Sequence, residues 1–200
     1  MAALVLVRHG QTAANAAGLL LGRSDPPLTE LGRLQAAACG QALKAAGPGA
    51  WRLVSSPLRR AVETAGLLGV GPEVEVDQRW VELDYGEAEG RPAGEVPPGL
   101  WRRWRADAGF RPPGGESLAD VGARVRQACQ QLAEDGRDTV VVSHVSPIKA
   151  AVAWALGAPE SAAWRMHLSL GAICRLELGA EGPVLWRFND TSHLAGLPEP

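Results

Sequence analysis

Apolar residues fall along this chain in two patterns, short unbroken runs and longer stretches that repeat every three or four positions. Leu4-Val5-Leu6-Val7 and Val140-Val141-Val142 are unbroken runs, the signature of strands covered on both faces. Trp51 to Ser55 reads as a shorter third strand, and Val74 to Asp77 as a weaker one at a sheet edge. Leu118, Val121, Val125, Ala128 and Leu132 instead form one stripe at helical spacing, with Ser117 and Asp120 as its start signal. Thr29 to Ala46 repeats that stripe through Leu31, Leu34, Ala38 and Ala42, and Gly47-Pro48 is expected to stop it.

Two junctions share a design. Ser56-Pro57 and Ser146-Pro147 each follow a strand and pair a capping hydroxyl with a proline suited to a helix's first position. Near the C-terminus, Ala172 to Leu178 and Val184 to Phe188 flank Gly179 to Pro183, which predicts a hairpin with a five-residue loop. Strands alternating with helices imply an α/β fold, a three-layer α/β/α sandwich on a mostly parallel sheet with an antiparallel C-terminal element. No repeat or long linker divides the chain, so residues 1–200 read as one domain. The Gly- and Pro-rich stretches 90–99 and 109–115 are expected to be loops around a site.

Composition narrows the chemistry. With 46% hydrophobic and 21% charged residues, the chain has the profile of an ordinary soluble protein. A net charge of −2 gives no general pull toward nucleic acid or anionic membrane, so any anion site must be a local arrangement of cations. Cys39, Cys129 and Cys174 are widely spaced, which suits neither a disulfide framework nor a zinc site; Cys39 and Cys129 are expected in buried helix positions. The apolar N-terminus reaches Arg8 and His9 too soon for a signal-peptide core, and Ala150 to Gly157 is too short to span a bilayer. A cytoplasmic location is the expectation.

The unusual residues gather on one side of this provisional sheet. Arg8 and His9 end the first strand, Arg60 lies one turn into the helix after the Trp51–Ser55 strand, and His144 closes the Val140–Val142 strand. In an open α/β sheet the C-terminal strand ends share an edge where ligands bind, and helix N-termini there add N–H donors. Two arginines and two imidazoles so placed suit a phosphate dianion. Arg59 reads as a solvated helix residue, and His167 and His193 as structural. Four histidines without ligand-like spacing argue against a catalytic metal, and no cofactor is implied.

Leu6-Val7-Arg8-His9-Gly10-Gln11-Thr12 with Asn15 resembles the opening motif of the histidine phosphatase superfamily, which includes the cofactor-dependent phosphoglycerate mutases. Ser55 to Ala65 resembles its second motif, Glu82 to Gly90 its acid-bearing loop, and Val142-Ser143-His144 its last. The resemblance implies a phosphoglycerate mutase-like fold, with His9 as phosphorylated nucleophile and Arg8 and Arg60 as phosphate clamp. His144 would be a further donor to the phosphoryl oxygens and Asn15 an additional phosphate contact. Glu82 would be the acid that protonates the leaving oxygen, although Asp84, Glu87 and Glu89 share its loop. Val145 stands where the family often has glycine, so its side chain could narrow the phosphate pocket.

The segment from Gly90 to Glu116 is compact, and its ending resembles the α-ribazole phosphatase branch, which favours phosphatase over mutase. A small phosphorylated metabolite is the expected partner, with no nucleic acid and no membrane; the sequence leaves the oligomeric state open. The remaining alternative is an inactive relative that binds phosphorylated ligands. Leu100-Trp101-Arg102-Arg103-Trp104-Arg105 reads as an amphipathic helix burying one or both tryptophans, and one of its arginines or Arg111 is expected to meet the non-phosphoryl part of the substrate.

Overall fold

Strands β1 (Ala2–Arg8), β2 (Arg52–Ser55), β3 (Val74–Val76), β4 (Thr139–Ser143), β5 (Ile173–Gly179) and β6 (Gly182–Asp190) form one sheet in the order β3-β2-β4-β1-β5-β6. The computed structural model describes residues 2–46 and 51–198, so the Gly47-Pro48 stop lies outside the described residues. The pairs β1–β4, β4–β2 and β2–β3 are parallel, and β5 and β6 run antiparallel beside β1. The weak strand predicted at Val74 does sit at the edge.

The unbroken apolar runs have a direct cause. Val5, Val7, Val140 and Val142 face one side of the sheet, where α2 (Glu30–Ala45) and α3 (Arg59–Leu68) cover them with Cys39, Leu43, Ala61, Ala65 and Leu68. Leu4, Leu6 and Val141 face the other side, beneath α5 (Leu118–Asp135) and α6 (Val145–Ala155). Burial of each such side chain stabilises the fold by about 1.5–3 kcal/mol relative to exposure. The result is the three-layer sandwich, with Trp80 and Trp104 wholly enclosed in the α5–α6 layer. Both α1 (Ala13–Ala16) and α4 (Pro98–Ala106) lie in the connections at the strand ends.

Helix starts follow their caps. Thr29 Oγ1 accepts from Gly32 N at 3.0 Å, and Ser117 and Asp120 cap each other reciprocally. The two Ser-Pro junctions differ from expectation. Ser56 N is still tied to Val142 O at 3.0 Å, so the chain leaves the sheet late and α3 begins at Arg59, beyond Pro57. At the other junction His144 is the extended N-cap residue and α6 begins at Val145, with Ser146 and Pro147 inside the first turn. The C-terminal hairpin is also tighter than predicted. Gly179 pairs with Gly182, leaving Ala180-Glu181 as the loop, and Gly182 takes a φ of +114° that favours glycine. No helix among the described residues is long and apolar enough to cross a membrane.

Candidate functional site

The parallel strands β1, β2 and β4 end at the same edge, and each delivers one piece of the site. His9 follows β1 directly, with its N–H on Ser143 O at 3.0 Å. The next residue must be glycine. A Cβ at Gly10 would lie 2.2 Å from Gly32 O, so the loop packs its bare backbone against the start of α2. His9 Nδ1 donates to Gly10 O at 2.7 Å, which fixes the tautomer and leaves Nε2 with the lone pair.

Arg60 reaches His9 from the first turn of α3. Its Nε donates to His9 Nε2 at 3.2 Å, while Nη1 and Nη2 donate to Ser24 O at 2.7 Å and Gly22 O at 2.8 Å. The side chain is fully buried, yet neither it nor Arg8 forms an ion pair with a carboxylate among the described residues. Thr64 ties this helix to the loop, accepting from Gly10 N and donating to Arg60 O. Arg8 Nη1 donates to Leu168 O at 2.7 Å, and its buried Nε has no protein partner.

His144 stands with its ring 5.0 Å from that of His9, centre to centre. Its Nε2 lies 2.7 Å from Ser56 Oγ, and that oxygen already accepts from Leu58 N. When the Ser56 hydroxyl donates to Nε2, the His144 hydrogen sits on Nδ1. Nδ1 is buried and has no protein partner. In that tautomer Nδ1–H is a buried donor open to an acceptor, at a cost of about 1–3 kcal/mol while unpaired.

Glu82 is buried, and the rest of its loop is arranged around it. Its Oε1 accepts from Leu83 N at 2.7 Å and from Ser146 N at 3.1 Å, so the carboxylate caps α6 where Ser146 was expected to cap itself. Its Oε2 accepts no hydrogen bond from the described residues. Arg124 holds the loop from behind, donating to Arg79 O and Glu82 O while it pairs with Glu116 at 2.9 Å. The rival acids are elsewhere: Asp84 caps Gly86 N, Glu87 is exposed, and Glu89 turns to the 22–24 segment.

Electrostatics follow from this packing. Burial, then Arg60, then Arg8 hold the His9 ring well below the ordinary imidazole value, and burial followed by His9 and the arginines does the same to His144. Burial pushes Arg8 down to about 10, which still leaves it a cation at neutral pH. A neutral imidazole thus sits among charged and neutral donors.

The structure brings His9, Arg8, Arg60, His144 and Glu82 together. Asn15 is half-buried, its Oδ1 taken by the Thr12 N–H and hydroxyl, which leaves its amide nitrogen without a partner among the described residues. Val145 is half-buried as the first residue of α6, beside His144. Arg59 is exposed, as expected. Of the arginines expected near the outer part of the substrate, Arg102 is exposed. Arg111 is paired with Asp120 at 2.7 Å, Arg103 lies over the Phe110 ring, and Arg105 lies over Trp101. Trp104 is buried and stacked on half-buried Trp101, as an amphipathic helix requires. Sequence reasoning missed Ser56 as a partner of His144, Arg124 and Glu116 behind the acid, and Glu89. No spacing rule signals them, because each acts through backbone or a distant loop. No group of three or more His, Cys, Asp or Glu suited to a metal occurs among the described residues.

Residues 4–191 match the model of the histidine phosphatase superfamily, branch 1. A protein of Mycobacterium tuberculosis described as bifunctional is 39% identical over 96% of this chain and 54% of its own; the chain spans about half the length of the curated relatives it first matches. The glucosyl-3-phosphoglycerate phosphatase of the same organism is 37% identical over 80% of this chain and 82% of its own. Among solved structures, a phosphoserine phosphatase variant of Entamoeba histolytica in complex with phosphoserine matches with a TM-score of 0.88 at 28% identity, covering 97% of this chain and all of that one.

Proposed function

The chain belongs to the histidine phosphatase superfamily, and from that premise we propose that it is a metal-independent phosphomonoesterase working through a phosphohistidine on His9. The observation that carries this reading is the environment of His9 Nε2. Its ring is neutral, its other nitrogen is tied to Gly10 O, and around it stand Arg60, Arg8 and the unpartnered Nδ1 of His144.

In the first half-reaction His9 Nε2 attacks phosphorus and the bond to the leaving oxygen breaks. Glu82 Oε2 delivers the proton that oxygen takes. Arg8, Arg60 and His144 hold the three non-bridging oxygens, supplying fixed charge and donors where negative charge must be balanced. In the second half-reaction water attacks the phosphohistidine, Glu82 takes the water's proton, and inorganic phosphate leaves with His9 neutral again. Two of the similar proteins act on or bind small phosphate esters by their names, and a small phosphorylated metabolite is the substrate class we assign to this chain.

Hydrolysis of p-nitrophenyl phosphate by wild type and His9→Ala tests the reading. Activity should survive a metal chelator, vanish in the variant, and pass through a phosphoenzyme labile to acid and stable to base. A His9→Ala protein of undiminished activity would end it. Including 3-phosphoglycerate isomerisation in the same assay separates hydrolysis from phosphoryl shuttling.

A further inference from the structure

Arg60 is aimed by backbone carbonyls, and something must hold those carbonyls still. They belong to the turn at residues 22–24, whose three successive N–H groups all point at one carboxylate. Gly22 N and Ser24 N donate to Glu89 Oε1 at 3.0 and 2.9 Å, and Arg23 N donates to Glu89 Oε2 at 3.1 Å. Successive N–H groups converging in this way form a cradle for an anion, here filled by a side chain of the protein itself. The fit is close. A Cβ at Gly22 would lie 2.6 Å from Glu89 Oε2 and 2.5 Å from Leu83 O, so a side chain has no room between the turn and its anchor.

We propose that Glu89 is a positioning residue, which clasps the 22–24 turn so that Gly22 O and Ser24 O hold Arg60 beside His9 for a phosphoryl group. The chain of contacts runs from Glu89 through peptide groups to the guanidinium, and no other side chain intervenes. The neighbouring backbone is secured separately, by Gly90 N on Leu20 O at 2.8 Å and Leu20 N on Arg91 O at 2.9 Å. Loss of the carboxylate should therefore loosen the turn without detaching the segment. Arg60 would keep its charge and lose its aim.

The inference rests on Arg60 serving as a phosphate clamp, so the test includes Arg60→Ala as well as Glu89→Ala and Glu89→Gln. The readouts are kcat/KM for p-nitrophenyl phosphate and the inhibition constant of vanadate, which mimics the transferring phosphoryl group. Glu89→Ala should lower kcat/KM and raise the vanadate constant by a similar factor, on the order of 10-fold or more, as expected of a displaced catalytic group. Glu89→Gln keeps an acceptor for two of the three N–H groups and should fall between wild type and Glu89→Ala. A variant that merely folds less completely would lose kcat while its surviving fraction kept the wild-type vanadate constant; that result overturns the proposal. An unchanged vanadate constant in Arg60→Ala would instead remove the clamp reading on which it stands.

Discussion

Arg60 Nε donates to His9 Nε2 at 3.2 Å, so a buried cation touches the lone pair we propose as the nucleophile. The contact discourages a proton on that nitrogen, because Arg60 is the largest charge effect on the His9 ring after burial. Replacing Arg60 by Ala should lower kcat/KM by about 10²–10³, the usual result of removing one donor to a developing oxyanion. Its acid limb should also move to higher pH, since the ring is freed from one repulsive neighbour. Arg60→Lys should rescue little, because an ammonium cannot reach two carbonyls and His9 with a planar fork. A pH–rate profile of each variant checks both statements.

Ser56 fixes the other imidazole. Its hydroxyl accepts from Leu58 N and lies 2.7 Å from His144 Nε2, and when it donates there the hydrogen of His144 sits on Nδ1. Ser56→Ala removes that bias, and kcat/KM should fall by about 10-fold, the scale of one neutral hydrogen bond of about 1–1.5 kcal/mol. An unchanged rate would show that the ring finds its orientation without the hydroxyl.

Glu82→Gln separates proton donation from capping. The amide oxygen can still accept from Ser146 N, so α6 keeps its start, but the proton source is gone. Hydrolysis of an alkyl phosphate should fall by about 10²–10⁴, the span of general-acid catalysis. The phosphorylation step with p-nitrophenyl phosphate, whose leaving group needs no proton, should fall far less in a single-turnover measurement. Equal losses on both substrates would take the acid role from Glu82.

Two buried neutral imidazoles make stability depend on pH. Both native pKa values lie well below the ordinary 6.5 through burial and neighbouring cations. As pH falls below about 6.5 the unfolded chain takes up protons that the native site refuses, so stability drops by up to about 1.4 kcal/mol per pH unit for each histidine. Above that pH the effect is absent. Urea unfolding between pH 7.5 and 5 should show the decline in wild type and a shallower one in His144→Gln.

A methyl group at Gly10 would press on Gly32 O, 2.2 Å from its ideal position. Gly10→Ala should cost about 1–3 kcal/mol as an overpacked contact, visible as a melting temperature lowered by about 2–12 °C for a chain of this size. A melting curve superimposable on wild type would show that the loop can move aside.

The layers were legible in the sequence because they rest on periodicity. Leu4 to Val7 and Val140 to Val142 are apolar at every position because helices cover both faces, and the Leu118 stripe faces the sheet beneath α5. The placement of Arg8, His9, Arg60 and His144 at one edge followed from parallel strand order alone. What escaped notice was set by tertiary contacts. Ser146 was expected to cap its own helix, but Glu82 takes its N–H from another segment. Ser56-Pro57 looked like a helix start, but the backbone of Ser56 is held to β4 and the helix waits until Arg59.

Peptide carbonyls, not acids, tether the guanidinium groups of Arg8 and Arg60. A dipole can orient a cation without cancelling it, so both reach an incoming ester with their full charge, inside a molecule whose overall balance is slightly negative. Attraction of this kind is felt only at close range and is poorly screened by salt. Turnover should therefore tolerate ionic strength far better than an enzyme that gathers its anions through a broad surface field.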